Sequence, residues 1–284
     1  MQDNETIQTT LNCRGHLLSL EEPVVMGILN VTPDSFYDGG RYTDLDAALF
    51  QVDAMLGAGA AIIDIGGMSS RPGAEILLPD AELKRVLPIV KAIAKRFPEA
   101  ILSIDTIYSK TAKTCAEAGV AIINDISGGR FDDTLFQTVA DLGLPYVLMH
   151  MKGEPGNMQG QAVYQDIVTE VLDFFIEGIG RLRALGVRDI LLDPGFGFGK
   201  TAEHNFRLLN NLHVFQLTGC PVVAGISRKS MIWKSLKITP EEALNGTTAL
   251  HMVALQQGAR VLRAHDVRPA METIQLWKTL NTYS

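Results

Sequence analysis

Arg263 and His265 lie two positions apart in the apolar stretch VLRAHD (261–266). Residues two apart on an extended strand share a face, so these two project together, with Leu262 and Ala264 on the other side. A guanidinium beside an imidazole is equipped to hold an anion. An arginine enclosed among apolar neighbours also requires a carboxylate or an anionic ligand, because burying a lone charge is costly. The tetrapeptide Ser227-Arg228-Lys229-Ser230 brings two further cations nearby in the chain. The chemistry indicated is recognition of a phosphorylated ligand at a local basic corner. The plainer reading of Arg228-Lys229 is a solvated loop pair.

Other apolar runs also end in residues foreign to a hydrophobic core: Asn30, the Gly66-Gly67 pair, Asp105, Asn124 with Asp125, His150, Asp193 and Ser227. Taken singly, each such Asp or Asn reads as a turn or helix cap, since its side chain satisfies nearby N–H groups. Their convergence on one face of one sheet would exceed what capping requires.

The runs that carry them are Val24–Asn30, 61–67, 101–106, 121–127, 146–150, 190–195, 222–227 and 261–266. Nearly continuous apolarity with many β-branched residues is the mark of strands buried on both faces of a parallel sheet. Helix-period segments alternate with them at 46–56, 80–97, 109–118, 163–185 and 240–257. The segment 80–97 puts Leu83, Val86, Leu87, Val90, Ile93 and Ala94 on one stripe, with Pro88 as a possible kink. Pro240 and the two glutamates after it read as a helix start. Eight strands alternating with helices predict a (β/α)8 TIM barrel over 1–284 as a single α/β domain, with the site at the carboxyl ends of the strands. An open doubly wound sheet is the competing fold, but no dinucleotide loop follows the first strand. The segment 10–20 (TLNCRGHLLSL) predicts a short N-terminal hairpin around Arg14-Gly15 that plugs the bottom of the barrel.

Several chemistries are excluded. The stretch DPGFGFGKT (193–201) fails the phosphate-loop pattern because Pro194 stands where its first glycine belongs, and it fails G-x-G-x-x-G at Lys200. Its glycines instead allow close backbone approach to a flat ligand. The six histidines show no zinc spacing, although Asn30 could offer one oxygen to magnesium. No G-x-S-x-G elbow occurs, and Cys115 sits at a core-like helical position. With 25 basic and 32 acidic residues the net charge is −7, which disfavours nucleic acid and anionic membrane. The 284 residues contain no membrane-length apolar run and no leader pattern at MQDNETIQTT, and the three cysteines (Cys13, Cys115, Cys220) form no disulfide framework. A cytoplasmic enzyme is expected.

The motifs at 30–40 (NVTPDSFYDGG), 64–74 (DIGGMSSRPGA), 103–106 (SIDT), 124–128 (NDISG), 149–159 (MHMKGEPGNMQ), 193–200 (DPGFGFGK), 227–232 (SRKSMI) and 261–266 (VLRAHD) closely resemble the dihydropteroate synthase family, in order over residues 11–281. That family condenses 6-hydroxymethyl-7,8-dihydropterin pyrophosphate with 4-aminobenzoate, giving 7,8-dihydropteroate and pyrophosphate in folate synthesis. The resemblance implies a barrel, a homodimer, a magnesium ion (Mg2+) and inhibition by sulfonamides. It assigns pterin binding to Asp105, Asn124, Asp193 and Lys229, with Phe198 and Met149 at the apolar edge. Pyrophosphate binding falls to Asn30, Ser70, Arg71, Arg263 and His265, and aminobenzoate binding to Phe36, Arg71, Pro72, Lys229 and Ser230. Arg263, His265, Lys229 and Asp105 carry the catalytic roles, and Asn30 is the metal position. The implied mechanism is dissociative. Pyrophosphate departs against Arg263, His265 and magnesium, and a pterin methylene cation is captured by the amine.

The chain departs from the family at the loop after the second strand, commonly G-G-E-S-T-R-P-G, where Met68 and Ser70 replace Glu and Thr. Ser70 keeps a hydroxyl, whereas Met68 removes a carboxylate. Tyr37 stands where a serine is common, and no inserted residue separates Arg71 from Pro72. The alternatives are a methyltetrahydrofolate methyltransferase, which needs no pyrophosphate site, and a non-catalytic pterin-binding paralogue. A Schiff-base aldolase on Lys229 finds no supporting pattern. The helical stretch 240–257 and the final helix are the expected dimer contact.

Overall fold

The computed structural model describes residues 7–31, 44–68, 76–154 and 158–283. Arg14 and Gly15 take positive φ values of 58° and 89°, reversing the chain between β1 (Thr10–Cys13) and β2 (His16–Ser19). These two strands pair antiparallel as a separate sheet.

The next eight strands are β3 (Val24–Asn30), β4 (Ile62–Gly66), β5 (Ile101–Asp105), β6 (Ile122–Asp125), β7 (Tyr146–Met149), β8 (Ile190–Asp193), β9 (Val222–Ala224) and β10 (Ala259–Ala264). They pair in parallel in chain order, and β10 closes on β3 as a barrel. This confirms the (β/α)8 expectation and removes the doubly wound sheet. The covering helices are α1 (Asp44–Gly57), α2 (Pro79–Arg96), α3 (Ser109–Glu117), α4 (Leu135–Leu142), α5 (Ile167–Ala184), α6 (Ala202–Asn210), α7 (Ser230–Leu236), α8 (Leu244–Gln256) and α9 (Val267–Thr282).

Alternation along each strand divides the apolar residues between two cores. Val25, Leu29, Ile63, Ile65, Leu102 and Ile104 face outward and pack under the helices with Cys115 of α3. Met26, Ile62, Ile122, Val147, Leu191, Val223 and Val261 face inward and pack against Leu11, Cys13 and Leu20 of the hairpin segment. The hairpin therefore plugs the bottom of the barrel, as its sequence suggests. Arg14 Nη1 donates to the Ala116 carbonyl at 2.6 Å, and the Asn12 amide donates to Asp189 Oδ2 at 2.8 Å.

Two expectations are corrected. The buried stripe of α2 is Glu82, Val86, Ile89, Val90 and Ile93, while Leu83, Leu87 and Ala94 are only half-buried. The face turns because Glu82 reaches inward to accept a hydrogen bond from Thr106 Oγ1 at 2.6 Å. The helix also does not start at Pro240. Arg228 Nη1 takes the carbonyls of Pro240 (3.0 Å) and Glu241 (2.6 Å), and regular α8 begins at Leu244.

Candidate active site

The carboxyl ends of the strands converge on one mouth. Strand register sets Asp105 beside Asn124 and Gly66, and Met149 beside Asp193. Asn124, Ile126, Met149, Asp193, Gly195, Phe196, Phe198, Gly225, Lys229 and Arg263 line one cavity there. Its floor carries carboxylate and amide groups and its side walls are apolar. Gly225 leaves the space open, since a Cβ at that position would stand 3.2 Å from Asp193 Oδ2.

Arg263 organises the charges. Its Nε donates to Asp64 Oδ2 at 2.7 Å and its Nη2 to Asp105 Oδ2 at 2.8 Å. Asp64 is fully buried and also accepts from Asn124 Nδ2 at 2.9 Å. Burial works against the guanidinium charge, but Asp64 and Asp105 outweigh it and raise its pKa. Its Nη1 has no protein acceptor among the described residues, which leaves a donor for an incoming anion. The sequence-based site omitted Asp64. The available signal was a carboxylate two positions before Gly66, on the same inward face as Ile62 in an otherwise apolar strand.

Burial shifts the other titratable groups, and it brings Asp105 and Lys229 close to neutrality. Burial pushes Asp105 up to about 7, even though Arg263 opposes the shift. Burial and then Arg263 lower Lys229 to about 8, against the pull of Asp193 and Asp105. Asp193 is also raised by burial, offset by the Gly195 amide, which donates to its Oδ1 at 2.7 Å. His265 stands at the rim with one face open to water. Its packed side, then Arg263 and Lys229, push the imidazole down to about 4. Ser227 Oγ accepts the His265 amide at 3.2 Å and lies 3.1 Å from Nδ1, so it can donate there and leave Nε2–H as the outward donor. Lys229 Nζ lies 4.2 Å from the centre of the Phe198 ring, a cation held against a π face at the cavity edge.

Of the residues singled out in the sequence, Asn124, Met149, Asp193, Phe198, Lys229 and Arg263 share this cavity, and Asp105 joins it through Arg263. Asn30 is exposed at the end of β3, with its Oδ1 near Gly66, and Ser230 opens α7 directly after Lys229. Phe36, Ser70, Arg71 and Pro72 lie outside the described residues. Three other residues have structural duties instead. Arg228 is held in a two-point pair by Asp266 at 2.8 and 2.9 Å, which removes it from the basic corner. Asp125 gathers the Ser127 and Gly129 amides and the Tyr146 hydroxyl. His150 contacts Lys200.

The mouth thus offers a deep cluster of acceptors and donors for a flat, N–H-rich ring, with an arginine–histidine pair for an anion at its edge. The family model described as "pterin binding enzyme" matches residues 26–265. The dihydropteroate synthase of Escherichia coli (strain K12) is 45% identical over 268 residues, covering 94% of each chain. The Yersinia pestis dihydropteroate synthase with a sulfonamide drug complex superposes with a TM-score of 0.90 at 43% identity, covering 96% of this chain and 99% of that one. The Xanthomonas albilineans dihydropteroate synthase with 4-aminobenzoic acid gives 0.90 at 39% identity, covering 96% and 98%.

Proposed function

This chain belongs to the dihydropteroate synthase family of pterin-binding enzymes, and from that membership we propose how its barrel mouth performs the reaction. The enzyme is a transferase that joins the pterin methylene carbon of 6-hydroxymethyl-7,8-dihydropterin pyrophosphate to the nitrogen of 4-aminobenzoate, releasing pyrophosphate. The observation that carries the site assignment is the single cavity shared by Asn124, Asp193, Lys229 and Arg263, with Asp105 bound to that arginine.

In this reading Asp105, Asn124 and Asp193 accept and donate along the polar edge of the pterin. Lys229 supplies a cationic donor, and Met149 and Phe198 cover the ring. Arg263, tied on one side to Asp64 and Asp105, turns its remaining donors to the pyrophosphate. Neutral His265 donates from Nε2. As the C–O bond breaks, the developing negative charge meets these fixed donors without reorganisation. The electron-poor methylene is stabilised by delocalisation into the pterin and by the Asp105 and Asp193 carboxylates. The amine of 4-aminobenzoate, positioned by Phe36, Arg71, Pro72, Lys229 and Ser230, then captures the carbon, and its proton leaves to water. Ser70 and Arg71 would join the pyrophosphate contacts.

Magnesium fits as an ion carried by the substrate. Asn30, exposed at the end of β3, has one neutral amide oxygen to offer, whereas the neighbouring Asp105 is already engaged by Arg263. One protein donor suits an ion that keeps its waters and takes the rest of its shell from phosphate. A magnesium ion held by Asn30 would supply positive charge to the leaving pyrophosphate. The assignment also includes one barrel unit over 1–284, a cytoplasmic location and a homodimer. The dimer contact is assigned to α8 and α9; Leu276 and Leu280 of α9 are exposed, as is Tyr283 directly after it. Among the described residues no helix is long and apolar enough to cross a membrane.

The test is magnesium-dependent pyrophosphate release with and without 4-aminobenzoate, followed to dihydropteroate. A sulfonamide should raise the apparent KM for 4-aminobenzoate and leave the maximal rate unchanged. Pterin binding without pyrophosphate release would support the non-catalytic paralogue instead.

A further inference from the structure

Lys200 ends the glycine-rich stretch after β8 and has only 3% of its surface exposed. A buried ammonium ordinarily sits against a carboxylate, yet Lys200 forms no ion pair among the described residues. Its Nζ instead faces the carbonyls of Gly195 (3.0 Å), Phe198 (3.1 Å) and His150 (3.1 Å), and His150 Nδ1 at 2.9 Å. Burial, more than any neighbouring cation, holds the imidazole neutral, and the same burial pushes the Lys200 ammonium well down; with Nζ donating at 2.9 Å, Nδ1 is the acceptor and the proton rests on Nε2.

These contacts fasten two loops. Gly195 and Gly199 have φ values of 67° and 62°, and a Cβ would stand 2.0 Å from the His150 carbonyl and 2.3 Å from that of Lys152, respectively. The glycine loop is therefore pressed directly onto the segment leaving β7. Both residues whose carbonyls Lys200 gathers from this loop also serve the cavity. The Gly195 amide holds Asp193, and the Phe198 ring lies against Lys229.

We propose that Lys200 is a positioning residue for pterin recognition, drawing the Gly195 and Phe198 carbonyls onto the end of β7 and so fixing the pocket wall that Asp193 and Lys229 share. It touches no substrate. The inference rests on assigning that cavity to the pterin. The glycine loop thus has a role distinct from phosphate binding: its final lysine turns inward and locks the loop from behind.

The experiment measures binding of 6-hydroxymethylpterin by calorimetry and the KM for 4-aminobenzoate, in wild type and Lys200→Met. At least tenfold weaker pterin binding is expected, with the aminobenzoate KM rising no more than threefold through the Lys229 that both ligands share. No pterin binding by the wild type overturns the pocket assignment and this inference together. Wild-type affinity retained in Lys200→Met overturns the inference alone, as does an equal loss for both ligands, which would mark a general packing role. Should Lys200→Met not fold, His150→Asn and His150→Leu decide the matter. The Asn oxygen replaces Nδ1 as acceptor and should keep pterin affinity within threefold, whereas Leu should lose more; equal affinities in both overturn the proposal.

Discussion

The two ends of the barrel are built from the same strands and obey opposite rules. At the bottom the inward residues are Met26, Ile62, Ile122, Val147, Leu191, Val223 and Val261, sealed by Leu11, Cys13 and Leu20. One pleat repeat further along, the inward positions become Asp64, Asn124, Met149, Asp193, Gly225 and Arg263. The bottom gains stability by excluding water from close-packed carbon. The mouth gives some of that up, because its carboxylates are buried and their pKa values rise. What limits the cost is Arg263, which serves two carboxylates at once. A residue there is thus needed both for the reaction and for the tolerance of its neighbours, whereas a residue at the bottom is needed for stability alone.

The largest test of this contrast is Arg263→Ala. It should lower kcat/KM about a thousandfold, the scale of losing a fixed donor to developing charge. It should also cost about 3–5 kcal/mol in denaturant unfolding, because Asp64 is left buried without its partner. Unchanged stability would remove the idea that the mouth is held together by its own catalytic charge. Leu11→Ala is the converse. It should cost about 2–5 kcal/mol while kcat/KM, measured where the variant is folded, stays within twofold.

His251 sharpens the comparison, because it is buried on α8 and its Nε2 finds no hydrogen-bond partner among the described residues. Burial pushes it down to about 4, below the ordinary 6.5 of an unfolded histidine. The unfolded chain therefore binds more protons between these values, and stability is lost as pH falls through this window, by roughly 3 kcal/mol. His251→Leu should flatten that part of the stability curve. The smallest effect is on the pH profile of kcat/KM for the pterin substrate, which reports the free enzyme. Asp105 becomes neutral below about 7 and Lys229 loses its proton above about 8. The profile should be a narrow bell, falling about tenfold per pH unit on either flank. A flat profile across this range would show that these two groups do not govern binding.

The barrel was legible because a parallel sheet covered on both faces leaves eight near-continuous apolar runs, and the hairpin because Arg14-Gly15 breaks a short apolar pair. Arg263 and His265 were legible because a period of two places them on one face. Asp64 carried a weaker mark, one inward carboxylate before a glycine pair, because its partners Arg263 and Asn124 are distant in the chain. Arg228 could not be told from Lys229, since adjacent cations are distinguished only by what they meet: Asp266 for one and the Phe198 ring for the other. Pro240 carried a sound helix-start signal that Arg228 overrode by taking its carbonyl.

By itself the sequence determined the strand and helix alternation, the inward period and the identity of the groups that could carry chemistry, because these depend on local pattern and residue type. The tertiary structure decided which charges pair, which are neutral near pH 7 and which merely brace the frame. Those properties depend on distance and burial between residues as far apart as Asp64 and Arg263, which only closure of the barrel brings within 2.7 Å.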